Sequence, residues 1–126
     1  MRRQRRPSDE RGASMVEAAI VLPILVLLIF GVVEFGLAFN AKVTLTHAAR
    51  EGVREYALNN DLGAATDKVK FAADGLDPAL LGVSATACVD GDQTELTVQY
   101  PYSYDIPFWG SSTFTMESKG VMRCSG

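Results

Sequence analysis

The apolar positions of this chain follow three different patterns. Residues 18–33 (AAIVLPILVLLIFGVV) contain no charged side chain and leave no polar face at helical period. Residues 40–58 (NAKVTLTHAAREGVREYAL) place Val43, Ala49, Val53 and Tyr56 at roughly helical spacing, with Lys42, Arg50, Glu51, Arg54 and Glu55 mostly between them. After Gly82 the period drops to two. Val83, Ala85 and Ala87 alternate with Ser84, Thr86 and Cys88, and Leu96 and Val98 alternate with Thr97 and Gln99.

The first pattern predicts a membrane-spanning helix. Sixteen residues at 1.5 Å rise cover about 24 Å, and the continuation through Phe39 makes a stretch of 22 residues with Glu34 as its one charge, enough for a hydrocarbon core of about 30 Å. A helix of a soluble core would show a polar face, and this one does not. Pro23 inside the run costs one backbone hydrogen bond and favours a kink, which bilayer helices tolerate. A cleaved secretory signal is the closer rival, but its best small-x-small site, Gly36-Leu37-Ala38, comes only after Glu34 and Phe35.

The second pattern predicts an amphipathic stem that continues the helix outward. Gly52 weakens it by about 1 kcal/mol relative to Ala, and Asn59-Asn60 end it. Thr66 or Asp67 would then cap a short helix through Ala73, with Val69 and Ala72 or Ala73 facing inward and with Gly75 and Asp77-Pro78 turning the chain.

The third pattern predicts a hairpin turned by Asp90-Gly91-Asp92. Tyr100, Tyr102 and Tyr104 extend the second strand, where Pro101 requires an edge or a strand end. Residues 107–112 (PFWGSS) read as a loop, and residues 114–122 as a third strand with Phe114, Met116 and Ser118 on one face. The aromatic residues Tyr100, Tyr102, Tyr104, Phe108, Trp109 and Phe114 read as core or loop-packing material; exposed as one surface, they would suggest subunit contact. The fold class is α+β: a leader over residues 1–12, a spanning helix over 13–39, a stem over 40–60, and a small domain of one short helix and a three-stranded antiparallel sheet over 61–126.

Charge sharpens this picture. The 126 residues carry a net charge of −3, which excludes a generally basic nucleic-acid binder. Arg2, Arg3, Arg5, Arg6 and Arg11 are all in the first twelve residues, offset there by Asp9 and Glu10. With Pro7 and Ser8 they make a poor helix. Followed directly by an apolar run, they hold the N-terminus in the cytoplasm and send the outer domain across the membrane.

Cys88 and Cys124 both lie in the outer domain, where a small exported fold most simply joins them in one disulfide. Two thiols and one distant His47 make an incomplete metal set, and a single histidine gives Ser-His or Cys-His chemistry almost no material. The sequence therefore points away from an enzyme and implies no cofactor and no small-molecule substrate.

Glu17 and Glu34 bracket the apolar run. Glu34 suits an interface. Glu17 stands five residues after Gly12, which closes the basic leader, so a basic leader, a glycine, four residues, a glutamate and an apolar helix follow in order. This resembles the type IV prepilin and pseudopilin signal. Val16-Glu17, Leu22-Pro23, Gly31 with Glu34-Phe35-Gly36, and Ala48-Ala49-Arg50-Glu51-Gly52 narrow the resemblance to the TadE-like family of tight-adherence (Flp) pilus systems, over roughly residues 11–58.

The resemblance implies a membrane-anchored minor pilin or pseudopilin. It implies a prepilin peptidase cutting between Gly12 and Ala13, and other pilin subunits as partners. It makes Glu17 an assembly residue, whose carboxylate pairs with the new amine of a neighbouring subunit's Ala13. Two other readings compete with it. A permanently tethered extracytoplasmic binding module needs no Gly12–Glu17 spacing, and a secreted domain would begin near Phe39 or Asn40.

Overall fold

The computed structural model describes residues 8–125, with residues 8–10 described by backbone alone. Arg2, Arg3, Arg5 and Arg6 of the leader lie outside the described residues. The elements in chain order are helix α1 (Ser8–Asn59), helix α2 (Leu62–Ala72), a 3-10 turn (Pro78–Leu80) and strands β1 (Gly82–Ala85), β2 (Gln93–Ile106) and β3 (Gly110–Arg123). The strands form one antiparallel sheet in the order β1-β2-β3. The α+β architecture read from the three patterns is therefore present. The chain packs as two units, Met1–Phe35 and Gly36–Gly126.

In the first unit α1 is helical from Ser8 onward, so the second half of the leader is helix and not the poor helix expected. The helix runs through Pro23 without interruption. Ile20, Val21, Ile24, Leu28 and Val32 are all more than half exposed, so this apolar surface is unsatisfied by the protein itself. Such a helix fits a single-pass membrane anchor.

The second unit is built on the outer part of α1. Ala41, Leu45, Ala48, Ala49, Val53 and Tyr56 are buried there, at spacings of three and four residues. The buried stripe differs from expectation at one position. Val43 is 53% exposed, and Leu45, fully buried, takes the place assigned to it. The helix stops at Asn60, whose φ of 51° is the left-handed cap conformation that asparagine tolerates, with its N–H on the Tyr56 carbonyl at 2.8 Å.

α2 begins sooner than the sequence suggested. Asp61, not Thr66 or Asp67, is its N-cap. The Asp61 carboxylate accepts from the Gly63 and Ala64 amides at 2.8 and 3.2 Å, and the Thr66 hydroxyl donates instead to the Leu62 carbonyl. Ala65, Val69 and Ala73, four apart, bury the inner face of α2.

The sheet lies against the helices through its even-numbered positions. Thr94, Leu96, Val98, Met116 and Ser118 are buried, and the odd positions between them face outward. Buried hydroxyls are satisfied: Thr94 donates to the Thr86 carbonyl at 2.7 Å, and Ser118 shares a hydrogen bond with Thr46 at 3.1 Å.

Two glycines permit the close approach of sheet and helix. A Cβ at Gly120 would meet the Ala49 carbonyl oxygen at 2.6 Å and Val53 at 2.8 Å. A Cβ at Gly52 would overlap the Val69 side chain and meet Leu96 at 3.3 Å. Gly52 thus gives up helix propensity where α2 and β2 close on α1.

β3 runs in the same direction as the outer part of α1. The Lys42 ammonium donates to the Glu117 carbonyl, Thr46 meets Ser118, Gly120 meets Ala49, and the Ser125 amide donates to the Ala57 carbonyl at 3.2 Å. β2 and β3 pair along their whole length, from Gln93↔Arg123 to Ile106↔Gly110, while β1 covers β2 only from Leu96 to Gln99.

Pro101 stands just past the end of β1. The Glu95 carbonyl points to the β1 side, where it accepts from the Thr86 amide, so by alternation Pro101 also faces that side and its missing N–H costs no ladder bond. The expected loop at residues 107–112 is shorter than read. Pro107, Phe108 and Trp109 alone make the turn, and Gly110 to Ser112 already belong to β3. Gly110, with φ of 90°, closes the turn, and the following Ser-Ser-Thr pairs with residues 103–105.

Cys88 and Cys124 form a disulfide with Cα atoms 5.8 Å apart. The bridge holds the end of β3 beside the β1–β2 connection, where the Cys124 amide also donates to the Asp92 carbonyl at 2.8 Å.

Two stability predictions follow from this packing. Gly120→Ala places a methyl against the backbone of α1 and is expected to destabilise the outer unit by about 1–3 kcal/mol, read as a lowered denaturation midpoint. Replacing both cysteines (Cys88→Ala with Cys124→Ala) removes a cross-link of 36-residue separation, and the chain-entropy model puts the loss at about 4 kcal/mol. Reducing agent is expected to lower the melting temperature of the native protein and to leave that of the double variant unchanged.

Candidate functional site

The residues singled out for processing and assembly all stand on α1. Gly12, Ala13 and Glu17 are exposed helical positions of the first unit, and a Cβ added at Gly12 would meet nothing within 4 Å. No packing therefore explains a glycine there, and none shields the bond that follows it. Ala13 and Glu17 are four apart, so they share a helix face with Cβ atoms about 5–6 Å apart. Gly12 lies on a different face from Glu17. A chain beginning at Ala13 would have Glu17 about one turn from the amino end of its helix, where a carboxylate meets the positive end of the backbone dipole.

The second group, Ala48-Ala49-Arg50-Glu51-Gly52, divides by face. Ala48 and Ala49 are fully buried and Gly52 is buried against Val69 and Leu96. Arg50 is exposed. The small residues of this segment are the seat of the sheet on the helix. In the sequence, an Ala-Ala pair followed three residues later by Gly is the signal for this close packing.

His47 lines an open surface hollow of about 310 Å³ with Lys42, Val43, Thr46 and Arg50. Two cations and no carboxylate border it, so nothing in that hollow orients the imidazole as a base. Among the described residues, no group of three or more His, Cys, Asp or Glu is placed to hold a metal ion. On the outer face of the sheet Lys119 meets Glu95 at 2.9 Å and Glu117 at 3.7 Å. The hydrogen bond and charge of Glu95, then the charge of Glu117, raise the lysine above its usual pKa. This triad is exposed, one lysine between two carboxylates, which is the pattern of a solvated face.

The aromatic residues separate into two sets. Tyr102 and Tyr104 pack on Phe114, with ring centroids 5.7 and 5.8 Å apart. Phe108 and Trp109 do not join them: they are 93% and 80% exposed at the tip of the β2–β3 hairpin. The expectation that the whole set is core or loop packing is thus corrected for these two. A three-residue turn is too short to fold back over the sheet.

Comparison with known proteins agrees with the arrangement on α1. Residues 12–54 match the family model described as TadE-like protein. The match begins at Gly12 and ends beside Val53, so it takes in the exposed glycine, Glu17, the apolar run and the small-residue seat. No curated protein and no solved structure matches the chain. The TadE-like family belongs to tight-adherence pilus systems, a structural family and not an enzyme family. Over residues 12–54, therefore, the chain resembles the TadE-like family, a family of tight-adherence pilus systems.

Proposed function

We propose that the chain is a minor pilin or pseudopilin of a tight-adherence pilus, anchored by α1 and assembled through its amino end. The observation that carries this reading is the position of the family match, which starts on Gly12 and includes Glu17 at the head of an exposed apolar helix. A prepilin peptidase would cut between Gly12 and Ala13 and leave the apolar helix on the mature subunit. The leader arginines would hold that end in the cytoplasm, with Asn40 onward outside, where the Cys88–Cys124 disulfide is stable.

Charge gives the assembly step its physical basis. A carboxylate near the end of a spanning helix is costly to bury, up to about 2.5–3.5 kcal/mol at a bilayer centre. A newly made amine at Ala13 is costly for the same reason. Packed among neighbours, the Glu17 carboxylate of one subunit and the Ala13 amine of another offset each other's burial. A tethered binding module would retain the leader and would have no such use for Glu17.

The variant Glu17→Ala tests this reading in the native host. Membrane insertion and leader removal are expected to remain at wild-type levels, since losing a carboxylate lowers the cost of insertion. Incorporation into pili, or co-purification with other pilus subunits, is expected to fall sharply, and Glu17→Gln should behave likewise because the charge is what matters. Wild-type assembly from both variants would contradict the proposal.

A further inference from the structure

The β2–β3 hairpin runs on well past β1, and its tip is the most exposed aromatic feature of the outer unit. Phe108 and Trp109 are 93% and 80% exposed, and Ile106 is 40% exposed beside them. Phe108 has φ of 70°, a left-handed conformation that glycine normally supplies at this position of a turn. The Trp109 amide closes that turn on the Ile106 carbonyl at 3.1 Å. A bulky residue held in an unfavourable backbone conformation, with its ring in water, is unexplained by packing.

The direction of the hairpin supplies the explanation. β3 runs parallel to the outer part of α1, with Ser125 beside Ala57 and Glu117 beside Lys42. The tip therefore points toward the Gly36 end of this unit, the end at which the chain continues into the apolar run. From Glu117 back to Gly110 the strand covers about 23 Å. From Lys42 back to Gly36 the helix covers about 9 Å. The strand is thus long enough to bring the tip to the Gly36 end of the unit even where strand and helix diverge.

Residues 106–116 (IPFWGSSTFTM) contain no charge. Beyond β1, however, the ribbon has two open edges, whose backbone groups exclude it from hydrocarbon. Exposed rings at the end of a polar-edged ribbon suit the headgroup layer, which tryptophan favours.

We propose that Phe108 and Trp109 dock in the headgroup layer of the bilayer that holds the chain's own helix, giving the outer unit a second contact with the membrane surface. The proposal rests on the membrane-anchored reading above, and its occupant is phospholipid.

Trp109 is the only tryptophan of the chain, so its fluorescence reports the tip directly. The full chain is reconstituted in vesicles of phosphatidylethanolamine and phosphatidylglycerol, with and without brominated acyl chains, and recovered by flotation. The expected result is a blue-shifted Trp109 emission that brominated lipid quenches and acrylamide reaches poorly. Phe108→Asp should shift the emission back to the red and reduce the lipid quenching, with circular dichroism and the disulfide unchanged. As a positional control, Phe71→Trp in a Trp109→Phe background should stay open to acrylamide and unquenched by lipid, since Phe71 is exposed on α2, away from the hairpin.

Chain that floats while Trp109 remains fully accessible to acrylamide overturns the proposal and leaves the anchor intact. A blue shift without lipid quenching means a protein contact instead, and also overturns it. Equal lipid quenching at positions 71 and 109 overturns a specific role for the tip. Failure to float overturns both this proposal and the membrane-anchored reading.

Discussion

The outer half of this molecule depends on how closely a sheet can approach one helix. Ala49 and Val53 on α1 meet Gly120 on β3, and Gly52 on α1 meets Val69 on α2 and Leu96 on β2, so closely that neither glycine has room for a methyl group. A domain of this size has little core to spend, so a tight seat on a helix that already exists is worth more than extra strands. The Cys88–Cys124 bridge works at the far end of the same strand, by restricting the unfolded chain. Between them, Gly120 and the disulfide at Cys124 hold the C-terminal half of β3 to the rest of the unit. The free part, toward the β2–β3 tip, carries the exposed aromatic residues.

The amino-terminal unit is governed by an opposite constraint. Its apolar side chains are exposed along the whole run, and no element of the chain covers them among the described residues. Lipid or neighbouring helices must supply the missing contacts. In that setting Glu17 is the charge near its start, and the proposed pairing with a neighbouring amine would offset the cost of burying it. That one constraint links the family match, the exposed glycine and the proposed assembly step.

Much of this was legible in the sequence because periodicity reports burial. The charge-free run and the helical stem are the two parts of α1, and the alternation after Gly82 corresponds to strands of the sheet. Details set by tertiary contact were not legible. Val43 and Leu45 are equally apolar, and only the position of the sheet decides that Leu45 is inside. Asp61 outcompeted Thr66 as a cap because the helix restarts directly after the Asn60 stop, leaving no loop between. The length of β3 was hidden by Ser111, Ser112 and Thr113, which pair as strand without an apolar signal. At the amino end the sequence offered spacing and resemblance, and the roles proposed for Gly12 and Glu17 involve other molecules.

The measurement closest to the centre of this account is the intact mass, with the N-terminal peptide, of the mature protein taken from its native membranes. A pilin-type subunit begins at Ala13 and keeps its apolar helix. A mature chain that retains Met1 to Arg11, or one that begins near Asn40, would contradict it.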